Sequence, residues 1–494
     1  MSVRTHHIPA AHPEEGTSPP ARWLALAVLC VSLLMVTLDN TVLNVALPTL
    51  VRDLGATTTN LQWIVDSYVI VFAGLLLVGG SLADRIGRKR VYLIGLTAFA
   101  LGSTWAAFSG SVGALIAARA SMGIGGAMMM PSTLAIITDM FTGDTERQRA
   151  IGIWAGTTGL GVALGPIVGG LLLARFWWGS VFLINVPIAV LGLACAIPLI
   201  PESKNSSALR PDLVGALLSI AGLGLVLWAL IEAPVRGWSS TLVIAAGLAG
   251  LAVLAVFVLW ERASSHPMLN MGFFRSRRFS AAVSSVGLVM FGLFGALFVL
   301  TQFMQFSLGY SALQSGIRVL PAAGAIAVIA PLSTVLVRWA GTKITVAGGL
   351  AIIAAGLFQV AAASHTTAYT DILPGLILLG IGAGLAIPAT TESVMGSLPS
   401  GHTGVGSATN GAVLQTGGAL GVAVIGSLLN TRYQDMMTAS LAPFHVPQAA
   451  LEQILGSIGG GKTGNTLVNI DLRRSTRGSP PPRPTRPLRS PARR

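Results

Sequence analysis

Four charged residues stand inside long apolar runs of this chain: Asp39, Asp66, Arg119 and Glu392. A charged group in a lipid-like interior costs roughly 2.5–3.5 kcal/mol on insertion scales, so each needs a reason. Burial disfavours the charged form of a carboxylate, and a nearby guanidinium favours it. An acid so placed can change protonation state as its surroundings change. Depth follows from about 1.5 Å of helical rise per residue. Asp39 lies about 24 Å into its run. Asp66 and Arg119 lie early in runs that pass back the other way, hence near the same level. This predicts one buried cluster of two acids and an arginine facing a cavity, with proton exchange as its chemistry. The bland alternative is a static ion pair that locks helices together. Glu392 falls late in its run, at the interface or a vestibule on the cytoplasmic side.

The elements that must position these groups are helices in lipid. The 494 residues are 53% hydrophobic and 10% charged, with thirteen apolar runs near the length of a membrane-spanning helix. They fall at 23–47, 61–80, 91–109, 112–138, 150–173, 180–200, 212–231, 241–260, 280–304, 315–337, 344–363, 371–396 and 404–429. The fold class is therefore an all-α polytopic membrane protein. The first run follows a polar leader without a small-residue cleavage pattern, so it reads as a retained helix.

Between the second and third runs lies a short basic loop, with Gly80, Asp84, Arg85, Gly87, Arg88 and Lys89 in fixed order. Such a loop belongs on the cytoplasmic side. With the N-terminus also cytoplasmic, inside segments carry 16 Lys/Arg and outside segments five. Asp139, Arg147 and Arg149 end up on the same side as the loop and are candidate partners for a latch. The formal charge of +13 does not imply nucleic acid, because residues 462–494 alone contribute about +8.

An internal repeat organises the runs. Gly123-Ile-Gly-Gly aligns with Gly380-Ile-Gly-Ala at an offset of 257, and Gly161-Val-Ala with Gly421-Val-Ala at an offset of 260. Two six-helix halves plus an inserted pair follow from this. The expected layout is a disordered N-terminus (1–21), an N-terminal half (22–200), the inserted pair (201–265), a C-terminal half (266–430) and a basic tail (431–494). The repeat also demands a last helix after 440, and none is legible; the expectation is that it is missing or altered. In the fifth run Gly161, Gly165, Pro166, Gly169 and Gly170 form a small-residue stripe broken by a proline. Close packing or a hinge between the halves both fit it.

Other chemistry is weakly signalled. Gly456 to Thr463 matches a nucleotide-loop pattern but lacks the strand and helix that the motif needs. No His, Cys or carboxylate cluster has metal-ligand spacing, so no metal and no cofactor beyond the proton motive force is expected. Cys30 and Cys195 lie in apolar runs and imply no disulfide framework. No hydrolytic triad is present, so an enzyme is not expected.

Several motifs together resemble the 14-helix drug:proton antiporters of the major facilitator superfamily. They are Leu38-Asp39-Asn-Thr-Val-Leu-Asn44, the loop 80–90, Arg119, Gly165-Pro166, Trp63-Ile-Val-Asp66-Ser-Tyr68 and Trp177 to Pro187. The resemblance is strongest to exporters of quaternary ammonium compounds and other lipophilic cations. It implies Asp39 and Asp66 in proton coupling or cation binding, Arg119 in proton transfer, and an apolar central cavity. It implies a monomeric multidrug efflux pump in the plasma membrane, acting on small-molecule drugs and protons. Met122 departs from the family's usual glutamine. Asn410, Gly411 and Gln415 stand where some cation exporters carry acids. A narrow antibiotic exporter, or an inactive transporter with an altered C-terminus, are the rival readings.

Overall fold

The computed structural model describes residues 19–441, apart from 205–210, 265–266, 268, 270, 363–367 and 398–402. Among the described residues the regular structure is helical, with no strand. Lipid offers no partner to a bare N–H or C=O, so every span satisfies its backbone within its own helix.

The N-terminal helices are α1 (Pro19–Leu54), α2 (Thr58–Ile86), α3 (Arg88–Ala107), α4 (Val112–Met140) and α5 (Asp144–Arg175). The sixth run is split into α6 (Ser180–Leu183) and α7 (Asn185–Leu199). The inserted pair is α8 (Leu213–Arg236) and α9 (Thr241–Ala263). Then come α10 (Arg277–Gln302), α11 (Ala312–Ala361), α12 (Tyr369–Met395) and α13 (Thr403–Leu441). Polar residues start them: Thr57, Ser111, Asp212, Ser276 and Ser311 each cap a helix through a side-chain oxygen. Among the described residues ten helical stretches are long and apolar enough to cross a membrane. One of them, α11, has 50 residues and breaks at Gly341, where φ is 81°. Its two arms, 312–340 and 342–361, carry two of the expected runs. The C-terminal end differs from expectation: α13 continues to Leu441, past the run at 404–429.

The repeat is visible in how the helices pack. A Cβ on Gly95 would come 2.8 Å from the Gly125 carbonyl oxygen, joining α3 to α4. A Cβ on Gly349, 254 positions later, would come 2.8 Å from the Gly382 carbonyl oxygen, joining the second arm of α11 to α12. Gly123 lies against the Tyr68 carbonyl on α2, and Gly380 against the Ala322 carbonyl on the first arm of α11. Gly161 lies against Thr37 on α1, and Gly421 against Phe291 on α10. So α1 to α5 match α10, the two arms of α11, α12 and α13, in that order.

The halves meet reciprocally, α2 on α13 and α5 on the first arm of α11. The inserted helix α8 packs against both α2 and α13, beside that junction. Its partner α9 leaves Leu242, Leu248, Leu251 and Leu259 exposed, as a lipid-facing helix must. Residues 442–494, which hold the place where a partner for α7 would fall, the nucleotide-loop pattern at 456–463 and most of the loop and basic tail expected at 431–494, lie outside the described residues.

Candidate functional site

Asp39 on α1 and Arg119 on α4 form a buried ion pair through Oδ2 and Nη1. Arg119 is 0% exposed and Asp39 3%. Arg119 Nε donates to the Ile64 carbonyl at 3.1 Å, and its guanidinium lies 4.4 Å from the Tyr68 ring centroid. The other Asp39 oxygen accepts a hydrogen bond from Asn185 Nδ2 at 3.0 Å. The same amide donates to Ser103 Oγ at 2.9 Å, and that hydroxyl donates to the Phe182 carbonyl at 2.8 Å. Five helices, α1, α2, α3, α4 and α7, thus converge on one carboxylate. Pairing and hydrogen bonding are what make so deep a charge tolerable.

Asp66 does not join them, which corrects the expected three-residue cluster. It is fully buried, and neither of its oxygens has a partner among the described residues. The reason is helical phase. Ile64 and Tyr68 point α2 toward Arg119; Asp66 lies two residues from each, about 200° around the axis. Its own face carries Gln62, whose amide donates to the carbonyls of Val422 and Ala423 on α13 at 3.3 and 3.0 Å. Further along that face a Cβ on Gly411 of α13 would come 3.0 Å from Leu76. Asp66 therefore faces the junction of the halves, and Asp39 the interior of the N-terminal half.

Between the halves lies a small apolar cavity. Thr41, Asn44 and Pro166 line it from the N-terminal half, and Leu293, Thr301 and Val319 from the C-terminal half. Among the described residues no charged side chain lines it. Thr41 and Thr301 donate their hydroxyl hydrogens to carbonyls of their own helices, at 3.1 Å to Thr37 and 2.9 Å to Leu297. They present acceptor lone pairs to an apolar space. Asp39, Asp66 and Arg119 are not among the lining residues, contrary to a cluster facing this cavity.

The basic loop forms a compact ion-pair system. Arg88 Nε lies 2.8 Å from Asp84, and its Nη1 pairs with Asp139 at the end of α4. That is the latch expected from topology, with Asp139 as the partner. Gly87 has φ 124°, which a side chain would strain, and a Cβ there would meet the Glu202 carboxylate at 2.6 Å. Glu202 accepts from the Lys89 backbone N–H at 3.1 Å and lies 3.5 Å from Arg90. Lys89 Nζ donates to the Ile197 carbonyl at 2.6 Å. Arg85 is exposed, and Gly80 lies against Pro131. Glu392 is exposed near the end of α12, where the sequence places it.

The glycines of α5 divide between two neighbours. Gly161, Gly165 and Gly169 face Thr37, Thr41 and Val42 of α1, within one half. Gly170 and the Pro166 carbonyl face Leu313 and Gly316 across the junction. Close packing accounts for the first set; only Pro166 and Gly170 stand where a hinge between halves would.

Sequence reasoning missed Gln62, Ser103, Asn185 and Glu202. Gln62, Ser103 and Asn185 lie in apolar runs, but an uncharged amide or hydroxyl is cheap enough there to pass as filler. Glu202 lies beyond its run, and nothing in its spacing ties it to the loop.

The model of the Major Facilitator Superfamily matches residues 29–422. The chain belongs to this superfamily. It is therefore a secondary transporter and a multi-pass membrane protein, not an enzyme. It is 36% identical over 442 residues to the multidrug efflux pump LfrA of Mycolicibacterium smegmatis, covering 89% of this chain and 87% of that one. It is 31% identical to the tetracenomycin C resistance and export protein of Streptomyces glaucescens, covering 91% and 84%. A bacterial homolog of the human lysosomal transporter Spinster, solved inward-facing and unoccupied, shares the fold. Its TM-score is 0.61 at 16% identity, covering 93% of this chain and 94% of that one.

Proposed function

We propose that this superfamily member is a proton-driven exporter of lipophilic small molecules, cationic ones included, across the cell membrane. The observation that carries the reading is a pair of carboxylates buried in spans, one paired and one bare. Asp39 is held by Arg119 and Asn185, and Asp66 has no hydrogen-bond partner among the described residues. The names of the relatives support drug export. In this reading the N-terminus and the basic loop are cytoplasmic, and the halves 22–200 and 266–430 rock about the cavity as a monomer.

A proton and a cationic drug favour opposite states of the acids. Proton uptake from outside ejects drug, and proton release inside restores affinity. One proton exchanged for one monovalent cation moves no net charge, so the pH difference alone drives it, about tenfold per pH unit. A neutral substrate also draws on the membrane potential, about 2.3 kcal/mol per 100 mV. The charge-free cavity and the Streptomyces relative support a second reading, a narrow exporter of a neutral antibiotic.

Ethidium accumulation in efflux-deficient bacteria separates the readings. Exclusion that a protonophore abolishes, and that Asp39→Asn removes at equal abundance, is the expected result. Accumulation equal to that of the empty vector, with the protein present in the membrane, would overturn export of ethidium-type cations and leave the narrow exporter or an inactive transporter.

A further inference from the structure

We propose that Gln62 is the coupling residue through which a proton on Asp66 controls the contact between the halves. The inference rests on the antiport reading and names the device by which protonation reaches the interface.

The geometry is specific. Gln62 is fully buried on α2 and bridges to α13 through one amide nitrogen. That nitrogen reaches the carbonyls of Val422 and Ala423 and, at 3.3 Å, Ser427 Oγ. A Cβ on Gly426 would come 2.6 Å from the same nitrogen, so the carboxamide fills the space that glycine leaves. This bridge lies at the end of α2 remote from the basic loop. The matched contact of the other junction, the Gly316 backbone on the Pro166 carbonyl, has no side chain that could release it.

Asp66 lies one turn further along the same face. Gln62 Oε1 and both Asp66 oxygens lack partners among the described residues. Residues 409–430 of α13 and 213–231 of α8 carry no titratable side chain, and Glu232 near the outer end of α8 is paired with Arg236. On the opposite flank of α2, Arg119 and Asp39 are bound to each other, and Tyr92 of α3 is bound to Ser32. Gln62 stands one turn from Asp66 on the same helix face, in position to answer a charge on it. Glutamine and aspartate one turn apart on a helix hydrogen-bond to each other.

As the neutral acid, Asp66 competes weakly for the Gln62 amide, and the bridge to α13 stands. As the anion it offers a charge-assisted hydrogen bond, roughly twice as strong as a neutral one. The amide then turns from the α13 carbonyls to Asp66, and the remote end of the junction loosens. With the basic loop cytoplasmic, proton release inside thereby unlocks the outer end. Proton uptake from outside locks it again. That is the order an exporter driven by proton entry requires.

The test uses the full chain in lipid nanodiscs, with Cys30 and Cys195 replaced and spin labels at Asp53→Cys and Asp435→Cys. Both sites are exposed, at the remote end, in opposite halves. Inter-label distance is followed against pH, and Asp66 protonation by its labelling with a hydrophobic carbodiimide. In the otherwise wild-type chain the distance should lengthen as pH rises, and Asp66→Asn should hold it short. Gln62→Leu, close in size, should abolish the pH response while carbodiimide labelling of Asp66 still falls with pH. Gly426→Ala, which pushes the amide away from the α13 side, should do the same. A wild-type distance response in Gln62→Leu would overturn the coupling role alone. An unchanged response in Asp66→Asn would overturn the protonation reading beneath it.

Discussion

The two halves are built on one plan and differ where charge is held. Counting by the matched glycines, Asp39 corresponds to Leu293, Arg119 to Leu376 and Tyr68 to Ala322. The C-terminal positions are all buried, yet none carries a group that can exchange a proton. Asp66 corresponds to Leu320. At these matched positions the N-terminal half carries ionisable or phenolic side chains and the C-terminal half apolar ones. A rocking transporter needs two rigid bodies but only one proton site, and the repeat has been kept for the first purpose and abandoned for the second.

The largest effect should come from breaking this asymmetry at its centre. Arg119→Leu copies the C-terminal half into the N-terminal one and leaves Asp39 without its counter-charge. Removing one partner of a buried pair costs about 3–5 kcal/mol. Export should vanish, and thermal unfolding in detergent should move to lower temperature. Retained ethidium exclusion with unchanged unfolding would show that the pair is decorative.

A second test exploits an exchange of large and small residues between the halves. In the N-terminal half Gly165 on α5 faces Thr41 on α1; in the C-terminal half the matched Ile425 faces Gly295. Gly165→Ile should disrupt the α1–α5 contact, since a Cβ there already collides with Thr41. Overpacking of this kind costs typically about 1–3 kcal/mol. Adding Thr41→Gly recreates the C-terminal pairing and should recover most of the loss. A double variant no better than the single would show that the matched contacts are not equivalent.

The most confined effect should be at Asn185, which fixes the second Asp39 oxygen but carries no charge. Loss of such a bond is worth about 1.5–3 kcal/mol where one partner is ionised. Asn185→Ala should therefore lower the export rate by about tenfold or more without abolishing it, and shift its pH profile. A purely structural role would lower abundance and leave the profile in place.

Legibility from the sequence followed the strength of each physical signal. The apolar runs and the repeat were readable because lipid enforces them residue by residue. Asp39, Arg119 and the Arg88–Asp139 latch were readable because charge in or near lipid demands a partner. Depth places Asp66 level with Asp39 and Arg119, but depth does not give the angular phase that turns it to the other side of α2. Gln62 and Asn185 were passed over because one amide in an apolar helix is not costly enough to draw notice. Which side of α5 each glycine serves needed coordinates, since a small-residue stripe does not name its neighbour.

The Asp39–Arg119 pair also constrains how the chain can be made. Its partners are 80 residues apart, and Asn185 follows Asp39 by 146. At roughly 5–20 residues per second of synthesis, Arg119 emerges about 4–16 seconds after Asp39. For that interval α1 must wait with an unmatched acid, beside the insertion channel or protonated in lipid. The same contact that closes the finished transporter thus leaves its first helix carrying an uncompensated acid until the fourth arrives.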